Sequence, residues 1–199
     1  MLRLTITLVT LLSAVAAFAQ QRTTLNDGNL VLEDIPAIPR EVSDDLNRFQ
    51  NVRSASVIDW TQDGKSLYIT TRFAEVNQIH RVAMPGGARH QLTFFDEPVG
   101  GVERQPKSNL LTFTQDAGGS EFAQIFTLDP ATGNANMLTD GESRNGAVEW
   151  NRDGTRLAYQ STRRNGASND IWIMDAGEPS SAQVVLESPD GSWWGPAEF

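Results

Sequence analysis

A pattern that returns about every 46 residues constrains this chain more than any other feature. Three related triplets each stand seven residues before a leucine that opens an alternating apolar run: Ile58-Asp59-Trp60, Val102-Glu103-Arg104 and Val148-Glu149-Trp150. Three further pairs recur 46 residues apart: Gln78-Ile79, Gln124-Ile125 and Asp170-Ile171. A period of about 40 to 50 residues is typical of propeller blades. The repeat therefore predicts stacked β modules.

Turn residues divide each repeat into four short strands. Gln62-Asp63-Gly64-Lys65 and Asn151-Arg152-Asp153-Gly154 supply the positive-φ positions of a tight hairpin between the first two strands. In the third repeat we expect later strands at Arg156–Ser161, Asp170–Met174 and Gln183–Leu186. Apolar residues on both sides of several strands suit a sheet that is covered on both faces. The sequence therefore predicts an all-β fold, an incomplete β-propeller of about three four-stranded blades.

The predicted organisation has three parts. Residues 1–19 are a signal peptide, 20–53 an extended lead-in with a short helix near 41–52, and 54–199 a partial propeller. We expect blades at about 54–95, 99–141 and 145–187, and the start of a fourth at 195–199, where Ala197-Glu198-Phe199 falls in the position of the next triplet. A propeller closes with about four to eight blades. We therefore expect this sequence to be a fragment of a longer protein.

The first residues have the composition of an export signal. Arg3 precedes an apolar stretch from Leu4 to Phe18, and Ala17-Phe18-Ala19 forms a small-residue cleavage site. The stretch is too short and too interrupted by threonine and serine for a stable membrane span of about 20 residues. We predict cleavage after Ala19 and a periplasmic or secreted protein.

Composition excludes several classes of function. Sixteen basic and twenty-five acidic side chains give a formal charge of −9, which disfavours nucleic acid as a partner. The absence of cysteine excludes thiol chemistry and disulfides. The two histidines, His80 and His90, are too few for a transition-metal site, so we predict neither a metal nor a cofactor.

Several longer phrases carry a resemblance to a known family. They are Asn51-Val52-Arg53-Ser54-Ala55, Arg81-Val82-Ala83-Met84-Pro85-Gly86-Gly87-Ala88, Gln91-Leu92-Thr93-Phe94-Phe95, Gly118-Gly119-Ser120-Glu121-Phe122 and Ser161-Thr162-Arg163-Arg164-Asn165-Gly166. Together, over about residues 29–199, they resemble the exported bacterial prolyl oligopeptidase family, which includes dipeptidyl peptidase IV and acylaminoacyl peptidase. The resemblance implies an N-terminal propeller that restricts access to a C-terminal α/β-hydrolase domain with a Ser-Asp-His triad. It implies a serine peptidase that hydrolyses short peptides.

This chain does not carry the catalytic residues that the family implies. No Gly-x-Ser-x-Gly nucleophile motif occurs, and the nearest sequences, around Ser143 and Ser168, deviate from it and fall in predicted loops. The adjacent glutamates by which the dipeptidyl peptidase IV branch holds a substrate amino terminus are also absent. We therefore predict no catalytic residue here, and a peptide substrate that is reached through the missing hydrolase domain.

The residues best placed for binding lie in the longer loops. Loops between strands two and three, and between one blade and the next, should share one face of the arc. They carry our candidates for substrate or domain contact: Arg163, Arg164, Glu97, Glu121 and Arg144. Arg163 and Arg164 come first because guanidinium groups suit carboxylates on a peptide or a partner domain. The alternative for each residue is a solvated rim held by salt bridges.

Two other functions stay open. TolB-like propellers use similar blades and turns, so a noncatalytic periplasmic binding module is the main alternative. A free-standing arc that completes a ring by self-association is the third possibility. The short lead-in of about thirty residues favours the peptidase, since TolB-like proteins place a separate α/β domain before the propeller. Substrate preference, endo- or exopeptidase action, blade number and oligomeric state are not determined by the sequence.

Overall fold

The computed structural model describes residues 21–189 and 191–199. The predicted signal peptide and its cleavage site lie outside these residues. The described part of the chain divides into two compact units, with the boundary between Val52 and Arg53. No helix in the described part of the chain has the length and apolar character needed to cross a bilayer.

The first unit contains a hairpin and a helix. Strand β1 (Arg22–Leu25) pairs antiparallel with β2 (Leu30–Glu33) across a 3-10 turn at Asn26–Gly28. Helix α1 spans Arg40–Gln50, close to the predicted range. Its apolar stripe of Val42, Leu46 and Phe49 has the helical spacing of three and four residues, yet all three side chains are exposed.

The second unit consists of three four-stranded antiparallel sheets, each in simple sequence order. The first blade has β3 (Ala55–Trp60), β4 (Leu67–Thr71), β5 (Gln78–Val82) and β6 (Arg89–Gln91). The second blade has β7 (Gly100–Arg104), β8 (Leu111–Gln115), β9 (Gln124–Leu128) and β10 (Ala135–Met137). The third blade has β11 (Asn145–Trp150), β12 (Arg156–Ser161), β13 (Asp170–Asp175) and β14 (Glu178–Leu186). The sheets do not close into a ring, so the fold is an incomplete β-propeller, as predicted.

One strand differs from its predicted range. Strand β14 begins at Glu178, five residues before the predicted start at Gln183. Asp175 and Glu178 pair directly, so Ala176 and Gly177 form a two-residue hairpin loop, with Gly177 at φ 75°. A bulge in β14 accommodates the Pro-Ser-Ser sequence at 179–181. There the Ser181 hydroxyl accepts a hydrogen bond from the Asp175 N–H at 2.8 Å.

The repeated Leu-Thr pair closes each of the first two blades through identical hydrogen bonds. Leu92 donates its N–H to the Ile79 carbonyl, and the Thr93 hydroxyl accepts the Ile79 N–H at 2.9 Å. Leu138 and Thr139 make the same two bonds to Ile125. The threonine side chain thus continues the pairing after the short fourth strand ends, which explains why the pair recurs.

Backbone hydrogen bonds link each blade to the start of the next at equivalent places. Val99 donates its N–H to Asn77 O, and Asn145 donates to Ala123 O. Trp194 makes the same bond to Asn169 O at 3.3 Å. Trp194 therefore occupies the position at which Val99 and Asn145 lead from one blade into the innermost strand of the next. The start of a fourth blade at 195–199 stays a prediction, since these residues form no strand.

Two apolar clusters hold the blades together. Tyr68 and Ile79 of the first blade pack with Leu111, Phe113 and Leu128 of the second. A second cluster joins the facing surfaces of the second and third blades: Ile125, Leu138, Val148, Trp150, Leu157, Tyr159 and Met174. The core therefore lies between sheets rather than within any one of them, as expected for blades that cannot cover their own faces.

Glycines of the first hairpins offer a matched test of this packing. Gly64 and Gly154 both have positive φ, of 68° and 69°. A Cβ at Gly64 would meet no atom within 4 Å, whereas at Gly154 it would collide with the Pro106 carbonyl oxygen of the second blade.

We expect Gly64→Ala to lower the free energy of unfolding by about 1 to 2 kcal/mol. Gly154→Ala should lower it by about 3 kcal/mol, because the collision adds to the backbone strain. Chemical denaturation of both variants measures the difference, and equal losses would show that the hairpins do not touch.

Candidate docking face on the long loops

The propeller arc has two chemically different faces. On the hairpin face, short turns of neighbouring blades are joined by polar contacts, such as Gln62 N to Asn109 Oδ1 at 2.8 Å and Gln105 Nε2 to Gly154 O at 2.6 Å. On the opposite side lie the longer connections: 72–77, 94–99, 116–123, 140–144, 162–169 and 187–194. We call this side the loop face. Gly118 of one such loop donates its N–H to the Glu97 carboxylate of another at 2.8 Å, as expected if these loops share a face.

Exposed aromatic side chains gather on the loop face. Five are between 41% and 78% exposed: Phe73, Phe94, Phe122, Trp193 and Trp194. A groove of about 380 Å³ lies beside Phe122, lined also by Asp116, Ser120 and Gly141. Exposed aromatic residues with neighbouring arginines are characteristic of protein interfaces. The loop face is therefore the best candidate for contact with another domain.

Arg144 is the candidate that the structure surrounds most completely. Its guanidinium carbon lies 5.6 Å from the Phe122 ring centre and 5.3 Å from that of Trp193. Its Nη2 atom lies 3.3 Å from Glu121 Oε2, so two predicted site residues form one ion pair. Stacking between two rings fixes the guanidinium plane. Glu121 has 79% of its side chain exposed, so this carboxylate stays accessible to a competing partner.

Arg163 and Arg164 are adjacent in sequence but have different neighbours. The Arg163 guanidinium lies over the Trp172 ring at 5.3 Å, and its Nε atom is 3.6 Å from Asp140 Oδ2. Burial acts to raise the pKa of Asp140, but hydrogen bonds from Ser143 and the backbone, together with the charge of Arg163, lower it overall. Arg163 remains partly exposed on the loop face.

Arg164 is bound within its own blade. Its Nε and Nη2 atoms donate to the two carboxylate oxygens of Asp170 at 2.6 and 3.0 Å, and Nη2 also reaches Ser188 O. Asp170 is fully buried, and its pKa is lowered mainly by the hydrogen bond from Arg164. Arg164 thus follows the alternative given above for the loop residues, a side chain held in a salt bridge. It contributes more to holding the loops in place than to binding a partner.

Glu97 joins two loops. Besides accepting the Gly118 N–H through its side chain, it accepts a hydrogen bond from Gln115 Nε2 at its carbonyl oxygen, at 3.0 Å. Gln78 Nε2 of the first blade bonds the carbonyl of Phe95 in the same loop. Glu97 thereby fixes the loop between the first two blades.

His80, Ser143 and Ser168 have structural roles in the described part of the chain. His80 is fully buried in the first blade, with Nδ1 3.0 Å from Gln78 O and its ring edge-on to Phe73 at 5.0 Å. Burial lowers the pKa of His80. Ser143 donates to Asp140 at 2.6 Å, and Ser168 contacts Asn165, so both hydroxyls support turns. Among the described residues, no three side chains come together to hold a metal ion.

Sequence reasoning missed three participants in this face. Trp193 and Trp172 provide the rings under Arg144 and Arg163, and Asp140 pairs with Arg163. One sequence signal for this surface was available: two adjacent tryptophans, Trp193 and Trp194, stand between serine and glycine. No sequence signal pointed to Asp140, because it pairs with Arg163 only where a loop of the next blade approaches it.

Comparison with solved structures identifies the fold. A TolB structure from Agrobacterium tumefaciens superimposes with a TM-score of 0.56 at 15% identity, covering 72% of this chain and 55% of that one. This chain folds as part of a TolB-like β-propeller. A prolyl endopeptidase gives a TM-score of 0.54 at 16% identity, covering 68% of this chain and 22% of that one. A puromycin-hydrolysing peptidase from Mycobacterium tuberculosis gives 0.54 at 14%, covering 67% and 21%.

These likenesses concern the propeller alone. The chain spans 55% of the TolB structure and about one fifth of each peptidase. No protein-family model and no curated protein matches the sequence. This chain therefore resembles the propeller domains of peptidases and the propeller of TolB to a similar degree.

Proposed function

We propose that this chain is the propeller portion of an exported serine peptidase of the prolyl oligopeptidase family. In this proposal the loop face docks an α/β-hydrolase domain and limits the peptides that reach its active site. One observation carries the proposal: exposed aromatic rings and arginine–carboxylate pairs are concentrated on the face formed by the long loops. The ordered sequence phrases that resemble this family, and the likeness to a prolyl endopeptidase propeller, support it.

The roles follow from the contacts. Phe122 and Trp193 offer apolar surface on the loop face, and Arg144 between them presents a fixed cation whose partner, Glu121, is itself exposed. A docking domain can replace Glu121 with its own carboxylate without leaving a buried charge unpaired. Arg163, held over Trp172, provides a second such position. The fully buried Asp170 and its partner Arg164 keep the neighbouring loops in place.

We expect the product of the complete gene to turn over short peptides and to react with a fluorophosphonate probe for active serines. The double variant Phe122→Ala with Trp193→Ala should lower kcat/KM about tenfold or more, because alanine truncation of aromatic hot spots at an interface removes at least 2 kcal/mol. Lys107→Ala on the hairpin face is the matched control and should leave kcat/KM unchanged.

A TolB-like binding module predicts different results. It would show no labelled serine and no peptide turnover in any variant. If the gene product is labelled and active but the loop-face double variant matches the control, the peptidase assignment holds and the docking role of the loop face is wrong.

A further inference from the structure

The innermost strands carry an acid at one repeated position. Asp59, Glu103 and Glu149 each follow a β-bulge, and each pairs directly with a residue of the second strand: Tyr68, Thr112 and Ala158. The residue after each acid points to the opposite side of the sheet, because side chains alternate along a strand. These following residues are Trp60, Arg104 and Trp150.

The junction between the first and second blades pairs opposite charges. Arg104 of the second blade donates from Nε to Asp59 Oδ2 of the first at 2.7 Å. Arg104 also bonds the carbonyl of Ser108 at 2.8 Å, which holds the guanidinium in place. Asp59 of the first blade is therefore neutralised by Arg104 of the second blade. Arg104 is the residue that follows Glu103, the equivalent acid of the second blade.

The junction between the second and third blades lacks that cation. Trp150 stands where Arg104 stands one blade earlier, and its indole N–H donates to the Thr112 hydroxyl at 3.3 Å. Thr112 pairs directly with Glu103, so the indole lies over the part of the sheet that carries this acid. Among residues 21–189 and 191–199, the Glu103 carboxylate receives no hydrogen bond and no ion pair.

We propose that Glu103 and Trp150 form a proton-controlled latch between the second and third blades. With Glu103 neutral, the indole packs over an uncharged carboxyl group and the junction is closed. With Glu103 ionised, a poorly solvated carboxylate lies under the indole and the junction loosens. The Asp59–Arg104 pair keeps the first junction closed in both states.

The surrounding charges support this behaviour. Burial raises the pKa of Glu103 to about 7, and the charge of Glu149 on β11 adds to the shift. The cation on its own strand, Arg104, is already bound to Asp59 of β3, and Thr112, the residue of β8 that pairs directly with Glu103, is uncharged. A carboxyl group with a raised folded-state pKa favours folding at low pH. Its contribution is complete below about pH 4.5 and is lost as pH rises through 7.

The test is hydrogen exchange of the full chain between pH 5 and pH 8.5, corrected for intrinsic rates. Opening of β7 and β11 should increase with pH over this range, up to about 70-fold, while β3 and β4 stay constant. Glu103→Gln should abolish this dependence. Glu149→Gln should shift its midpoint to lower pH. Asp59→Asn, the control at the equivalent position, should preserve the dependence at the second junction.

Either of two results would overturn the latch. One is a pH dependence of β11 exchange that survives in Glu103→Gln. The other is equal protection of both junctions at all pH values in the unmodified chain. Because Glu103→Gln keeps the shape of the side chain and removes only its titration, a folding failure of that variant is not expected. The carboxyl carbon shift of Glu103, followed by NMR, gives its midpoint independently of exchange.

Discussion

Trp150→Ala should lower the free energy of unfolding by about 3 to 5 kcal/mol. Only 9% of Trp150 is exposed, and its ring packs with Leu138 and Ile125 across the junction between the second and third blades. Removing the ring leaves a cavity between two sheets and also breaks the hydrogen bond to Thr112. Urea denaturation monitored by circular dichroism measures the loss.

Trp60→Ala is the matched control, because Trp60 occupies the equivalent repeat position. Trp60 is 55% exposed, since no blade formed by the described residues covers its side of the first sheet. We expect its loss to be below about 1 kcal/mol. Comparable losses for the two variants would mean that Trp60 is covered in the protein in solution, and would contradict the exposure of the first blade.

Asp170→Ala should also be strongly destabilising, by about 3 kcal/mol. Asp170 is fully buried and accepts hydrogen bonds from Arg164 and from the backbone N–H and hydroxyl of Ser188. Its removal takes away the carboxylate that accepts two hydrogen bonds from Arg164 and one from the Ser188 N–H, and Glu187, 3.5 Å from Arg164 Nη1, cannot replace it inside the blade because its side chain is 62% exposed. Thermal unfolding of the variant and of the unmodified chain measures the effect.

The pH dependence of Asp170 has a defined sign. The pKa of Asp170 is lowered in the folded state, so the stability that its carboxylate contributes is complete above the ordinary pKa of 3.8 and is lost as pH falls further.

Asp175→Ala is the matched control for Asp170→Ala on the same strand, because the Arg156–Asp175 pair is more than half exposed at both partners. That variant should lose less than about 1 kcal/mol. An Asp170→Ala variant as stable as this control would show that the buried pair does not hold the third blade.

Much of the fold was predictable because propeller blades are built from local rules. The Asp-Gly turns at Gly64 and Gly154 and the Leu-Thr pairs at residues 92–93 and 138–139 act through hydrogen bonds within one blade. Such contacts depend on residues a short distance away in sequence, so a pattern in the sequence reports them directly. The start of β14 was mistaken because a bulge can absorb a Pro-Ser-Ser segment that usually indicates a loop.

The candidate site was less predictable. Placing Glu97, Glu121, Arg144, Arg163 and Arg164 in the long loops followed from strand order alone. Their partners did not, because Trp193 and Asp140 reach Arg144 and Arg163 from other connections of the arc. The two tryptophans of the repeated triplets also differ in environment, since Trp150 is buried whereas Trp60 is more than half exposed.

The sequence by itself determined that this chain makes successive four-stranded sheets, where most of the strands turn, and which positions are equivalent. Only the tertiary structure decided the environment of each equivalent position. The same triplet position is a solvent-exposed indole at Trp60, an ion pair at Arg104 and a buried indole over Thr112 at Trp150. Backbone pairing is set by neighbours within a blade, whereas burial and charge pairing depend on which side chains the adjacent blade presents.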